Sequence, residues 1–155
     1  MKFSEMLKEP IQKGDIMPVI RQGIFMSLMG GLLIGSLHLL FTYLFNFSLT
    51  WLMLFILAFL TAKRIKGAYI QYHILYSILT VFFFFLAYYF MSITLYGGLY
   101  FLSGITEFRH YVSLFNPLIH FEFLNPFTGY FFAVENLFEL LFFIIGTIYA
   151  YRHSK

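Results

Sequence analysis

Two carboxylates stand in a stretch of chain that is otherwise built to avoid water. The run GYFFAVENLFELLFFIIGTIYAYR, Gly129 to Arg152, carries Glu135 and Glu139 among apolar side chains. An apolar helix of about 20 residues crosses a bilayer, and a charged residue near its centre costs on the order of 3 kcal/mol. A spacing of four places both carboxyls on one helical face, which Phe143, Gly146 and Ala150 continue. Leu137, Leu141, Ile144 and Ile148 form the opposite stripe. That stripe suits lipid, so the acid face is expected to turn into a bundle. For a span entering near Tyr130, Glu135 would lie about 7 Å and Glu139 about 13 Å below the membrane surface. Acids so placed either carry protons or cations or act as hydrogen-bonded packing residues.

His38 is expected to join them. It follows Gly35 by three residues in another apolar run, and its estimated depth of about 9 to 10 Å falls between those of the two glutamates. The spacing predicts a proton-sharing or ion-paired contact between His38 and Glu135 or Glu139. Between Gly97 and Thr128 stand Glu107, Arg109, His110, His120 and Glu122 as further polar candidates. Glu107 and His110 have the E-x-x-H spacing, but a di-iron bundle uses two such motifs and more glutamates. No H-E-x-x-H helix, G-x-S-x-G elbow or P-loop occurs, so no metal site, hydrolase centre or nucleotide-driven machinery is predicted. The chain has no cysteine, which removes disulfides and thiolate chemistry. No cofactor is expected.

The elements that must position these groups are membrane elements. The chain is 61% hydrophobic and 11% charged over 155 residues, which describes one integral membrane domain rather than a soluble one. Its aromatic side chains, mostly Phe and Tyr, suit lipid and not nucleic acid. Four spans are predicted, at about 24–45, 49–62, 69–96 and 129–151, giving an all-α, multi-pass fold. Before them, Phe3, Met6 and Leu7 against Lys2, Glu5 and Lys8 suggest a short interfacial helix that Pro10 ends. Along the first span Gly23, Ser27, Gly31 and Gly35 recur every four residues. Such a small-residue ridge lets a second helix approach closely, within the chain or in a homo-oligomer.

Asn46 to Ser48 reads as a tight turn with Ser48 capping the second span. That span is short, and Trp51 at one end and Lys63, Arg64 and Lys66 at the other are expected to extend it by interfacial anchoring and snorkelling. The cluster Lys63, Arg64, Lys66 also has the composition of a phosphate or anionic-lipid site; its plainer reading is a topology determinant. In the loop after the third span, Thr106 to Phe115 has the pattern of an interfacial helix, and Asn116-Pro117 and Asn125-Pro126 mark breaks. The loop is expected to cap the outer face.

Nine of the ten Lys and Arg fall in the amino-terminal segment, the central basic loop and the carboxy-terminal tail, with Arg109 the exception. By the positive-inside rule both termini are expected to be cytoplasmic, in a cell membrane. Two function classes remain. One is a small membrane protein that acts by binding another membrane protein, as accessory subunit, regulator or immunity-type factor, or by homo-oligomerising. The other is a proton- or cation-coupled transporter or channel component that uses Glu135, Glu139 and His38. The ridge and the lack of recognisable chemistry favour the first.

Overall fold

A run this apolar can satisfy its main-chain groups in lipid only as a helix, and the computed structural model of the chain contains no strand among the described residues, 3–155. Helix α1 is Phe3–Met6. Helices α2 (Lys13–Phe25) and α3 (Gly31–Phe45) are joined by a π-helical turn, Met26–Gly30, into one 33-residue helix. Helix α4 is Thr50–Lys66, α5 is Ile74–Leu102, and α8 is Val134–His153. Between α5 and α8 lie α6 (Phe108–Ser113), α7 (Pro117–His120) and a 3-10 turn, Glu122–Leu124. Lys13–Phe45, Ile74–Leu102 and Val134–His153 are long and apolar enough to cross a membrane. By composition this is a membrane protein.

The helices run alternately up and down, with α3 packed along α5 and α4 along α8. One end carries both termini and the α4–α5 loop; the other carries the α3–α4 turn and the long segment between α5 and α8. They are called here the terminal end and the loop end. Met53, Leu54, Leu57 and Ala58 of α4, Phe84, Ala87 and Met91 of α5, and Phe143 and Ala150 of α8 form the buried core between them. The Phe143 ring sits 5.5 Å from Phe84 and 5.3 Å from Tyr88, at angles suited to aromatic pairing. Leu137, Leu141, Ile144 and Ile148 stay exposed on the opposite side of α8.

The small-residue ridge lies against α5. A Cβ on Gly31 would stand 2.8 Å from the Ala87 carbonyl oxygen, and one on Gly35 2.8 Å from that of Met91. Both are backbone atoms, which cannot swing aside. Ser27 Oγ completes the contact, 2.8 Å from the Gly23 carbonyl of its own helix and 2.9 Å from that of Phe83 on α5. Its one proton is shared between the two acceptors.

Helix boundaries differ from the sequence expectation for local reasons. The first helix begins at Lys13, well before Ile24, and α1 is one turn; Lys2 and the side chain of Phe3 lie outside the described residues. Helix α4 continues past Ala62 to Lys66, because Lys63, Arg64 and Lys66 occupy a last turn whose free carbonyls favour cations. Helix α5 starts at Ile74 instead of Tyr69, since His73 is extended and its Nδ1 accepts the Leu75 N–H at 3.0 Å. It runs on through Gly97 and Gly98 to Leu102, and at Gly98 a Cβ would stand 2.1 Å from the Leu39 side chain. Helix α8 starts at Val134, five residues after Gly129; Asn136 Nδ2 holds the preceding stretch in turns by donating to the carbonyls of Phe131 at 3.0 Å and Phe123 at 3.2 Å.

At the terminal end Asp15 is buried, and its Oδ2 accepts the backbone N–H groups of Ile70 (3.0 Å) and Gln71 (3.1 Å). One carboxylate thus ties the first helix to the α4–α5 loop. Asp15→Ala should strand both amides and cost about 2 to 3 kcal/mol, while Asp15→Asn, which keeps one acceptor oxygen, should cost less. Thermal unfolding in detergent checks the order. Equal midpoints for Asp15→Ala and the wild type would contradict this role.

Candidate functional site

Helix α5 brings a polar stripe to the loop end. Tyr88, Ser92 and Tyr96 recur every four residues and so share a face. That face looks toward α8, where Glu139 Oε1 accepts the Tyr88 hydroxyl at 2.8 Å. The same hydroxyl is 3.3 Å from the His120 carbonyl. A phenol has one proton to donate, so these two acceptors compete for it.

His120 is buried against the stripe. Its Nε2 is 2.6 Å from the Leu114 carbonyl, which can only accept, so Nε2 carries the proton. In the neutral ring Nδ1 then accepts from Ser92 Oγ, at 2.7 Å. The His120 imidazole therefore ties the segment between α5 and α8 to Ser92 of α5 through Nδ1 and to its own Leu114 carbonyl through Nε2. Tyr89 adds a further tie by donating to the Phe115 carbonyl at 2.5 Å.

Three cavities meet at Glu139. The first, of about 200 Å³, also has Tyr88, Ser92, Tyr96, His120 and Glu122 in its wall. The second, of about 190 Å³, is bounded by Glu139 together with His38, Ser48, Thr50, Ser92 and Tyr96. The third, of about 490 Å³, reaches Glu135, Trp51 and Phe138. With about 30 Å³ per liquid water, each has room for several molecules. The two smaller cavities have mainly polar walls, suited to water or a small cation, whereas the largest is walled mostly by apolar side chains such as Phe47, Trp51 and Phe138. The core below them, from Leu54 to Phe84 and Phe143, is closed and apolar.

The chain matches no protein-family model, no curated protein and no solved structure.

Of the residues singled out in the sequence, Glu139, His38, His120 and Glu122 border the two smaller cavities. The expected direct pairing of His38 with a glutamate is not formed. His38 is 1% exposed; its Nε2 is 3.3 Å from Ser48 Oγ, and its Nδ1 has no hydrogen-bond partner among the described residues. It shares a cavity with Glu139 instead of a hydrogen bond. Glu135 is exposed in the first turn of α8, where the helix dipole favours an acid. The late start of α8 also shortens the distance of Glu139 from the helix start to about 8 Å, rather than 13 Å below the surface. Glu107, Arg109 and His110 stand apart: all three are exposed, and Glu107 Oε2 meets His110 Nδ1 at 3.4 Å. Among the described residues no three His, Asp or Glu side chains converge on one point.

Tyr88, Ser92, Tyr96 and Thr50 were not anticipated. The signal for the first three was present, a four-residue polar repeat inside an apolar span, but it was masked by the surrounding phenylalanines. Ser48 was expected to cap α4. Its hydroxyl lies 2.8 Å from Thr50 Oγ1 and faces His38, and Leu49 takes the capping position without a side-chain bond.

Proposed function

We propose that this chain is a four-span membrane protein that binds a proton or a small cation at Glu139 and serves as a proton- or cation-coupled transporter or channel component. The observation that carries this reading is the position of Glu139 at the meeting point of three cavities with a Tyr88 hydroxyl on its carboxylate. When the carboxylate is ionised, Tyr88 donates to it. When the carboxyl takes up a proton, it can donate to the phenol oxygen while the phenol proton turns to the His120 carbonyl. Tyr88 keeps its own proton throughout, and the net change is one proton gained at Glu139. The π turn at Met26–Gly30 interrupts the same long helix that carries His38, and such turns are frequent at functional sites.

In this reading α4 is the remaining span. At 17 residues it is about 26 Å long, a few ångströms short of the hydrocarbon core, and Trp51 and Lys63 extend its reach by anchoring and snorkelling. Both termini are cytoplasmic, and α6, with Phe108 and Val112 exposed and Phe115 exposed just after it, lies in the outer interface. Because the chain has no cysteine, single cysteines report topology cleanly. Ser113→Cys is expected to react with an impermeant thiol reagent in intact cells, and Ser4→Cys and Lys155→Cys only after permeabilisation. The reverse pattern would invert the orientation.

The partner-binding class retains less support, because the ridge that favoured it faces α5 within the chain and the exposed stripe of α8 suits lipid equally well.

Trp51, the single tryptophan, borders the largest of the three cavities beside Glu139. Its fluorescence is therefore expected to change as protons or cations load the site. Glu139→Gln should abolish that response and Glu135→Gln should preserve it. A response unchanged by Glu139→Gln would place the titrating group elsewhere.

A further inference from the structure

We propose that the groove between α2 and α4 at the terminal end holds the phosphate of an anionic phospholipid headgroup. The groove has a volume of about 590 Å³, and Arg21, Lys63 and Arg64 line it together with Gln22, Pro18 and Leu60. That volume exceeds the need of a bare ion and falls within the usual range of small-molecule pockets, about 300 to 1,000 Å³. Three cations share the wall with no carboxylate among the lining residues, and among the described residues none of the three is ion-paired. The acid nearest in sequence on α2, Asp15, is engaged by the amides of Ile70 and Gln71. Like charges gathered without a counter-charge repel, and an anion bound between them removes that cost.

Two of the three cations rest on aromatic rings. The Arg64 guanidinium lies 5.8 Å from the centre of the Phe25 ring on α2, bridging the two helices, and Lys63 Nζ lies 5.8 Å from that of Phe59. A guanidinium is a planar fork that matches phosphate oxygens, and two arginines and a lysine together supply more donors than one phosphate can accept. The surface beside the groove is apolar: Ile24, Phe25 and Phe59 are 46%, 48% and 42% exposed. Polar head below and apolar flank above are the two requirements of a lipid. Basic pockets between membrane helices take up anionic headgroups for this reason.

The test uses the full chain purified in mild detergent and measures lipid retention by native mass spectrometry, with phosphatidylglycerol, phosphatidylcholine and inorganic phosphate as separate probes. Phosphatidylglycerol should be retained, phosphatidylcholine should not, and millimolar inorganic phosphate should not displace the lipid. The double variant Arg21→Gln/Arg64→Gln should weaken retention on the order of tenfold or more. Lys66→Gln/Arg152→Gln removes two charges from the same end outside the groove and should leave retention unchanged. If the first variant does not fold, Arg21→Lys/Arg64→Lys keeps the charge and removes only the forks, and it should bind more weakly than the wild type. Equal retention of both lipids, or equal loss in the two glutamine variants, would overturn the proposal. Displacement by inorganic phosphate would keep the phosphate site and overturn its lipid source.

Discussion

Gly35→Leu is expected to yield no stably folded protein in detergent, and Gly31→Leu the same. A first carbon at position 35 would stand 2.7 Å from Thr94 Cβ and 2.8 Å from the Met91 carbonyl oxygen; at position 31 it would stand 2.6 Å from Phe90 Cβ and 2.8 Å from the Ala87 carbonyl oxygen. Relief requires moving α3 away from α5, and that opens the packed contact between these two helices together with the Ser27 bridge. Overpacking ordinarily costs about 1 to 3 kcal/mol, and a rigid backbone on both sides puts these sites at or beyond the upper end. Even alanine should lower the unfolding midpoint at either position. Gly14→Ala is the control, because nothing lies within 4 Å of its added carbon and alanine is the better helix former by about 1 kcal/mol. Unchanged unfolding and elution for both leucine variants would mean that the ridge does not face α5.

Glu139→Gln is expected to remove activity with the fold intact. Glutamine has nearly the same shape and keeps an oxygen that can accept the Tyr88 hydroxyl, so the contact between α5 and α8 survives while the titratable charge does not. Tyr88→Phe should behave differently: it leaves the carboxyl unsupported and frees the His120 carbonyl, so it should lower both activity and the unfolding midpoint. Glu135→Gln, at an exposed first-turn position, should be near wild type in both. If Glu139→Gln unfolded the protein and Tyr88→Phe did not, the carboxyl would be a structural clamp rather than a binding group.

How much of this was legible in the sequence follows from which signals are local. Helical periodicity put Phe143, Gly146 and Ala150 on the face of α8 that is buried, and Leu137, Leu141, Ile144 and Ile148 on the face that is exposed. The four-residue spacing of small side chains likewise marked the ridge. Helix ends were less legible, since they depend on contacts from afar, such as Asn136 reaching back to Phe131 and Phe123. The depth assigned to the glutamates inherited that error: Glu135, expected about 7 Å below the surface, stands exposed in the first turn of α8. The chamber was only half visible. Charged and histidine residues stand out in an apolar run, whereas Tyr88, Ser92 and Tyr96 pass for ordinary membrane residues until α5 is laid against α8. Their partner His120 comes from a segment whose fastening by Ser92 and Leu114 has no sequence periodicity at all.

The most direct test of the central claim is ion flux through the purified chain in liposomes. With a pH-sensitive dye in the lumen and a potassium diffusion potential imposed, the wild-type protein should dissipate a proton or sodium gradient faster than protein-free vesicles. Glu139→Gln should be indistinguishable from empty vesicles, and Glu135→Gln should match the wild type. Wild-type vesicles no leakier than empty ones to protons and to monovalent cations, or a Glu139→Gln protein that conducts like the wild type, would contradict the account.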